Sequence, residues 1–338
     1  MRFRVISLIV LVVTLLAFGL HSIRNNVSVA PDFPTRVISA TDPEVTLEIP
    51  AGSTGSEIAQ LLFVNGVVKS SLAYFRAAVG DRRSEQTAPG AHRMSLSISA
   101  SQALEQLLDP SRIPNLIRVF EGAWKSEIVD SMKQYGFTIN EIDLAFRNAI
   151  LPKGFKNAEG LLFPAQYSFP KGTTAIQVVQ AMINRFRSEK AGIDILGTEN
   201  QYSPLQLLTV ASIIQAEGDV KDFTKVARTI FNRLKISMPL QMDSTVHYIK
   251  RVRGEIFLSR SSTLIDSPYN TYKRYGLPPT PIGNPGADAL RAALFPSQGD
   301  WLYFITVAPG DTRFTASSAQ FLTWKRLYEK NRLAGAFN

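Results

Sequence analysis

The sequence predicts an α+β protein built from an N-terminal membrane helix, a small α/β unit and a C-terminal mixed α/β domain. Three observations predict it. Val5 to Leu20 is an uncharged apolar run broken only by Ser7, Thr14 and Gly19. Val45-Thr46-Leu47-Glu48-Ile49 alternates apolar and polar residues and is followed at once by helical spacing. From Ser203 onward, long helical patterns alternate with polar and aromatic loops. A period of two marks a half-buried strand, and a period of about 3.6 marks an amphipathic helix. With 338 residues, 45% of them hydrophobic, the chain can bury a large core in more than one unit and is not a disordered polymer.

At the N-terminus, Arg2 and Arg4 precede the apolar run, and no formal charge returns until Arg24. About 19 residues rising about 1.5 Å each nearly cross a hydrocarbon core of roughly 30 Å, longer than the usual signal-peptide core. Residues 5–23 are therefore expected to be a transmembrane anchor, with 1–4 a short cytoplasmic tail. The positive-inside rule places the chain after about residue 25 outside the cytoplasm. Ala17-Phe18-Gly19 resembles a small-x-small cleavage site and leaves a removed signal as the alternative. Residues 24–43, polar and with three prolines, are expected to be an extended tether.

Residues 44–110 form the first expected folded unit. It contains the strand 45–49, a helix carrying Ile58, Leu61 and Leu62, a second helix over 71–79, a strand near 92–96 and a helix with Ala103, Leu104, Leu107 and Leu108. Residues 111–200 read as a connecting α+β region: a strand at 116–119, helices over 124–135 and 139–150, the aromatic Gly/Pro segment EGLLFPAQYSFP at 159–170, and a helix over 174–187. Residues 201–332 carry the densest set of polar motifs and form the expected catalytic domain.

The net charge of +9 admits nucleic acid, anionic lipid or an anionic polymer as partner, but an extracytoplasmic location removes intracellular nucleic acid. Lys221 to Arg274 holds eleven Lys/Arg against four Asp/Glu, which reads either as a basic groove or as a solvated surface. Cysteine is absent and histidine occurs only at 21, 92 and 247. No disulfide, thiolate nucleophile, metal site or cofactor is expected.

The catalytic candidate is Glu217. Ser203-Pro204 is a helix start, with serine as N-cap and proline at the first helical position. Glu217 follows Val210, Ile213 and Ile214 by seven, four and three residues, so it projects from the apolar stripe. A carboxyl there is half-buried, and desolvation raises its pKa toward what a general acid needs near neutral pH. The same spacing also allows Glu217 simply to end the helix before Gly218. Asn232 and Arg233 fall opposite the stripe of the next helix and face either a groove or solvent. The loop Leu240-Gln241-Met242-Asp243-Ser244-Thr245 suits either sugar hydroxyls or a helix cap. Pro268-Tyr269-Asn270-Thr271-Tyr272 combines aromatic faces with an amide, as sugar sites do, and is equally a structural loop.

These segments, in this order, resemble the YceG-like (MltG) endolytic murein transglycosylase family. The resemblance rests on the N-terminal anchor, VTLEIPAGSTGSEIAQLL, EGLLFP, ASIIQAEG, VARTIFNRL, LQMDST, SPYNTY, GLPPTPIGNPGADAL and WLYFIT. It implies that 44–110 is a LysM-like binding unit and that Glu217 is the catalytic glutamate. Gln241, Asp243, Thr245, Asn270 and Tyr272 would hold substrate. It further implies cleavage of the β-1,4 bond between N-acetylmuramic acid and N-acetylglucosamine with formation of 1,6-anhydromuramyl ends, acting on nascent strands and limiting their length. The implied partners are peptidoglycan strands, the membrane, and synthases or division proteins, with no nucleic acid. A non-catalytic wall-binding scaffold and a hydrolase pairing Glu217 with Asp243 are the alternatives. The sequence departs from the family pattern at Gln215, Ala165, Ser244, Arg313 and the FEGAW segment at 120–124.

Overall fold

The computed structural model describes residues 30–50, 52–114, 116–169, 172–199, 201–253 and 259–337. The expected tail at 1–4, the anchor at 5–23 and the start of the tether lie outside the described residues. Among the described residues no helix is long and apolar enough to cross a membrane. Two compact units are present, Met1–Pro114 and Asn115–Asn338.

In the first unit β1 (Glu44–Ile49) pairs antiparallel with β2 (Gly90–Ser95), and three helices complete it: α1 (Gly55–Val64), α2 (Ser71–Gly80) and α3 (Ala100–Leu108). Helix starts follow the local chemistry. Thr54 and Ser99 each form a capping box, with Glu57 and Gln102 respectively, and so satisfy N–H groups that the first helical turn leaves free. Leu47, Ile49, Leu62, Tyr74, Met94 and Leu107 build the core. From Ala30 the expected tether is instead a strap bound to this unit. Ala30 is buried, Asp32 Oδ1 accepts from the Ala100 N–H at 3.0 Å, and Gln102 Nε2 donates to the Arg36 carbonyl at 2.6 Å.

The second unit contains the antiparallel pairs β3 (Ile117–Val119) with β4 (Ala165–Tyr167) and β5 (Tyr303–Ala308) with β6 (Asp311–Thr315). Its helices are α4 (Lys125–Tyr135), α5 (Ile139–Asn148), α6 (Ala175–Ser188), α7 (Lys190–Leu196), α8 (Pro204–Glu217), α9 (Phe223–Lys235), α10 (Asp243–Lys250), α11 (Ala287–Leu294) and α12 (Ser318–Leu333). The fold is thus mixed α/β, with small sheets and mostly helix. The regions 111–200 and 201–332, read as a connecting α+β region and a catalytic domain, share one core.

Helix α8 is the axis of this core. Every residue from Leu207 to Ile214 is buried, because α7, α9, α10 and α11 pack around it. A helix that is apolar on all sides belongs inside a protein rather than on its surface. The expected single stripe is therefore a full apolar jacket, and Glu217 ends a buried rod.

Candidate active site

Ser203 caps α8 by accepting from the Gln206 N–H at 3.3 Å, and Pro204 takes the first helical position. Fourteen residues later the helix delivers Glu217 to the point where two clefts meet. One, of about 820 Å³, is lined by Arg233, Asp243 and Tyr272 and by the aromatic wall Tyr303, Phe304, Phe321 and Tyr328. The other, of about 660 Å³, shares Ala216, Glu217, Thr306 and Phe337 with the first. Two joined troughs with an acid at their junction can take a chain polymer and act on it internally. The aromatic faces offer platforms for sugar rings.

Glu217 is half-buried, and its carboxyl accepts a hydrogen bond from the Ser244 N–H at 2.9 Å. Burial pushes its pKa up to about 7, assisted by the nearby Asp243 charge and opposed by Ser244 and Arg233. An acid at that value is protonated for much of the time at neutral pH, so it can give a proton and take one back.

Of the expected substrate-holding residues, the structure brings Gln241, Asp243 and Tyr272 to the cleft wall beside Glu217. Gln241 stands at φ 48°, a left-handed conformation, and its N–H is held by the Thr271 carbonyl at 3.1 Å. The Tyr272 hydroxyl donates to Asp243 Oδ1; burial, first, and this bond raise the Tyr272 pKa. Thr245 and Asn270 lie elsewhere. Both are fully buried and line neither cleft. Thr245 Oγ1 donates to the Met242 carbonyl at 2.7 Å. Asn270 Nδ2 donates to the carbonyls of Thr263 and Ile265, and its Oδ1 accepts from the Tyr272 N–H at 3.0 Å. A short polar side chain satisfies backbone groups in a turn as readily as it meets a ligand, so the motif alone did not distinguish the two places. Asn270 therefore orients Tyr272, while Thr245 fixes the start of α10.

Among the described residues, several basic side chains of 221–274 are tied to partners away from the larger cleft. Arg253 pairs with Glu127 at 2.6 Å, Arg274 with Asp266 at 2.8 Å, and Arg228 Nε caps the Ser297 carbonyl at 2.5 Å. Arg233 alone of this group lines the cleft. It is nearly buried and held by the carbonyls of Leu302 and Leu240 beneath the Tyr303 ring. Asn232 instead binds the Trp301 carbonyl at 2.9 Å.

Sequence reasoning missed the last helix. Phe321, Lys325 and Tyr328 on α12 line the larger cleft. Their spacing, four then three residues, places them on one helical face, which is the signal that was available.

The remaining motifs form the frame. Ser212 Oγ accepts from the Ile282 N–H at 3.0 Å and Gln215 Oε1 from the Gly286 N–H at 2.9 Å, which ties GLPPTPIGNPG to α8. Asn284 and the buried Glu159 join this loop to the EGLLFP segment. Gly160 there has φ 87°, and a Cβ would sit 2.7 Å from Pro281 Cγ, so only glycine fits.

Fold and site define a mixed α/β protein with one half-buried carboxyl, its pKa raised to about 7, in an aromatic-walled cleft. The chain belongs to the YceG-like family, whose model matches residues 47–326. It is 32% identical over 307 residues, 84% of each chain, to the endolytic murein transglycosylase of Bacillus subtilis (strain 168). It is 28% identical over 297 residues to the protein of that name from Streptococcus pneumoniae serotype 2 (strain D39), covering 77% of this chain and 54% of the relative. The crystal structure of a yceG-like protein from Listeria monocytogenes superposes with a TM-score of 0.56 at 27% identity, over 84% of this chain and 99% of that one.

Proposed function

We propose that this chain is an endolytic murein transglycosylase. The observation that carries the reading is the place of Glu217: a carboxyl raised to about 7, with a single hydrogen-bond donor, where two clefts join. In its neutral form Glu217 protonates the glycosidic oxygen between N-acetylmuramic acid and N-acetylglucosamine, and the C1–O bond breaks. As a carboxylate it then takes the proton of the muramyl 6-hydroxyl while that oxygen closes on C1. One bond is exchanged for another, the proton returns to Glu217, and no water is consumed. The intramolecular alcohol replaces the second carboxylate of ordinary glycosidases and gains the advantage of a tethered nucleophile.

Arg233, fixed by two carbonyls, favours the carboxylate half of this cycle, and Tyr272 keeps Asp243 from drifting toward Glu217. Residues 5–23 serve as a single-pass anchor that holds the catalytic unit outside the cytoplasm; the apolar run and its flanking arginines support this. The order strand, two helices, strand, helix supports a LysM-like, glycan-binding role for the first unit. An anchored enzyme of this kind acts on nascent strands beside their synthases and limits their length.

Purified peptidoglycan strands digested with the chain are expected to yield 1,6-anhydromuramyl ends. Reducing ends would replace this reading by hydrolysis with Asp243 as second carboxylate, and undigested strands by the scaffold reading.

A further inference from the structure

Helix α2 of the first unit has two apolar faces. Ala73, Tyr74 and Ala78 point into the core, whereas Leu72, Phe75 and Val79 stand outside, with 45%, 37% and 71% of their surface exposed. The spacing 72, 75, 79 makes the second set one continuous stripe. Phe63 and Val64, at the end of α1, are exposed as well. Three neighbouring large apolar side chains on one exposed helix face mark a contact surface rather than scattered surface residues.

What covers this stripe follows from where the chain enters the unit. Ala30 is buried in the core of the first unit, the Pro31 carbonyl accepts from Ser70 Oγ at 2.7 Å, and Lys69 Nζ lies 5.9 Å over the Phe33 ring. Ser70 is the N-cap of α2, so the N-terminal strap arrives at the start of the helix that bears the stripe. Only residues 21–29 separate Ala30 from the end of the apolar run at Leu20. Ten Cα–Cα steps from Leu20 to Ala30 reach at most about 35 Å, so the start of α2, at Ser70, lies near that distance or closer to the end of the inserted run. Charge agrees. Lys69, Arg76 and Arg82 lie along or just beyond this helix, while Arg83 is tied to Asp81 at 2.7 Å and to Glu105 at 2.5 Å. An apolar stripe flanked by basic residues is the composition of a helix lying on an anionic lipid surface.

We infer that the exposed face of α2 rests on the outer surface of the anionic membrane that holds the N-terminal segment, with Leu72, Phe75 and Val79 at the headgroup boundary. The inference rests on the reading of 5–23 as an anchor, and the test separates the two. The chain has no cysteine, so single cysteines can carry an environment-sensitive fluorophore. Full-length Val79→Cys, Val12→Cys and Glu48→Cys, the last on the exposed face of β1, are reconstituted in phosphatidylglycerol-rich vesicles containing lipid-borne spin quenchers. Labels at 79 and 12 are expected to be quenched several-fold more than at 48, and Leu72→Ser with Phe75→Ser is expected to return 79 to the level of 48. Strong quenching at 12 with none at 79 overturns the docking face and leaves the anchor standing. No quenching at 12 overturns the anchor. Self-quenching between labels at 79, without lipid quenching, assigns the stripe to a second copy and also overturns the inference.

Discussion

Glu159 is a buried acid of the second unit and Glu217 a half-buried one at a cleft, and desolvation pushes both up to about 7. Their surroundings differ. Glu159 accepts from the Lys125 N–H at 3.0 Å, the Tyr248 hydroxyl at 3.0 Å and Asn284 Nδ2 at 3.2 Å, and it lines neither cleft at the Glu217 site. Glu217 accepts from one backbone N–H and stands at the junction of two clefts. A raised pKa therefore does not separate a catalytic acid from a structural one; unused lone pairs and access to substrate do.

The two acids respond oppositely to the loss of the carboxylate. Glu217→Gln is expected to lower turnover by about 10³-fold, within the range for loss of a general acid or base, with an unfolding temperature that holds or rises at neutral pH because a costly ionisation is removed. Glu159→Ala is expected to lower stability by about 3 kcal/mol, because three buried donors lose their acceptor, with a much smaller effect on turnover of the folded fraction. Thermal unfolding and strand-cleavage assays on both variants check this. Comparable losses of activity without loss of stability in both would break the distinction.

Stability should also depend on pH through these acids. Each carboxyl is raised from an ordinary value of 4.5, so the stability it contributes is complete below about 4.5 and is lost as pH rises through about 7. The unfolding temperature is expected to fall between about pH 5 and pH 8, and to fall less in Glu159→Gln. For activity, the general acid must be protonated, so kcat/KM is expected to decline above about pH 7.

A finer test changes only the donor to Glu217. Ser244 is the second residue of α10, a first-turn position whose N–H has no partner within the helix and where proline is tolerated. Ser244→Pro removes the N–H that favours the Glu217 carboxylate, so the alkaline limb of the rate profile is expected to move up by about one pH unit. Ser244→Ala keeps the N–H and should move it less. Equal shifts in both would assign the effect to the hydroxyl.

Much of this architecture was legible because local chemistry decided it. The Thr54 and Ser99 caps, the Ser203-Pro204 start and the alternation at 45–49 act within a few residues of themselves. What was not legible depends on partners far away in the chain. The strap at 30–43 is fixed by Ser99, Ala100 and Gln102, and nothing in its own composition distinguishes it from a tether. Asn270 and Tyr272 look equally suited to sugar in the sequence, and only the positions of the Thr263 and Ile265 carbonyls turn one inward and leave the other in the cleft. The helical spacing of Arg233 fits a groove or solvent equally, and the Leu302 carbonyl just before β5 draws it into the cleft wall.

If Glu217 drives ring closure without water, the solvent leaves no oxygen in the product. The most direct test is digestion of strands in oxygen-18 water, followed by mass analysis of the new muramyl ends. The native chain is expected to form ends that carry no heavy oxygen and are lighter than a reducing end by one water, and Glu217→Gln to lose them. Heavy oxygen at the new ends, or anhydro ends formed at an undiminished rate by Glu217→Gln, would contradict this route.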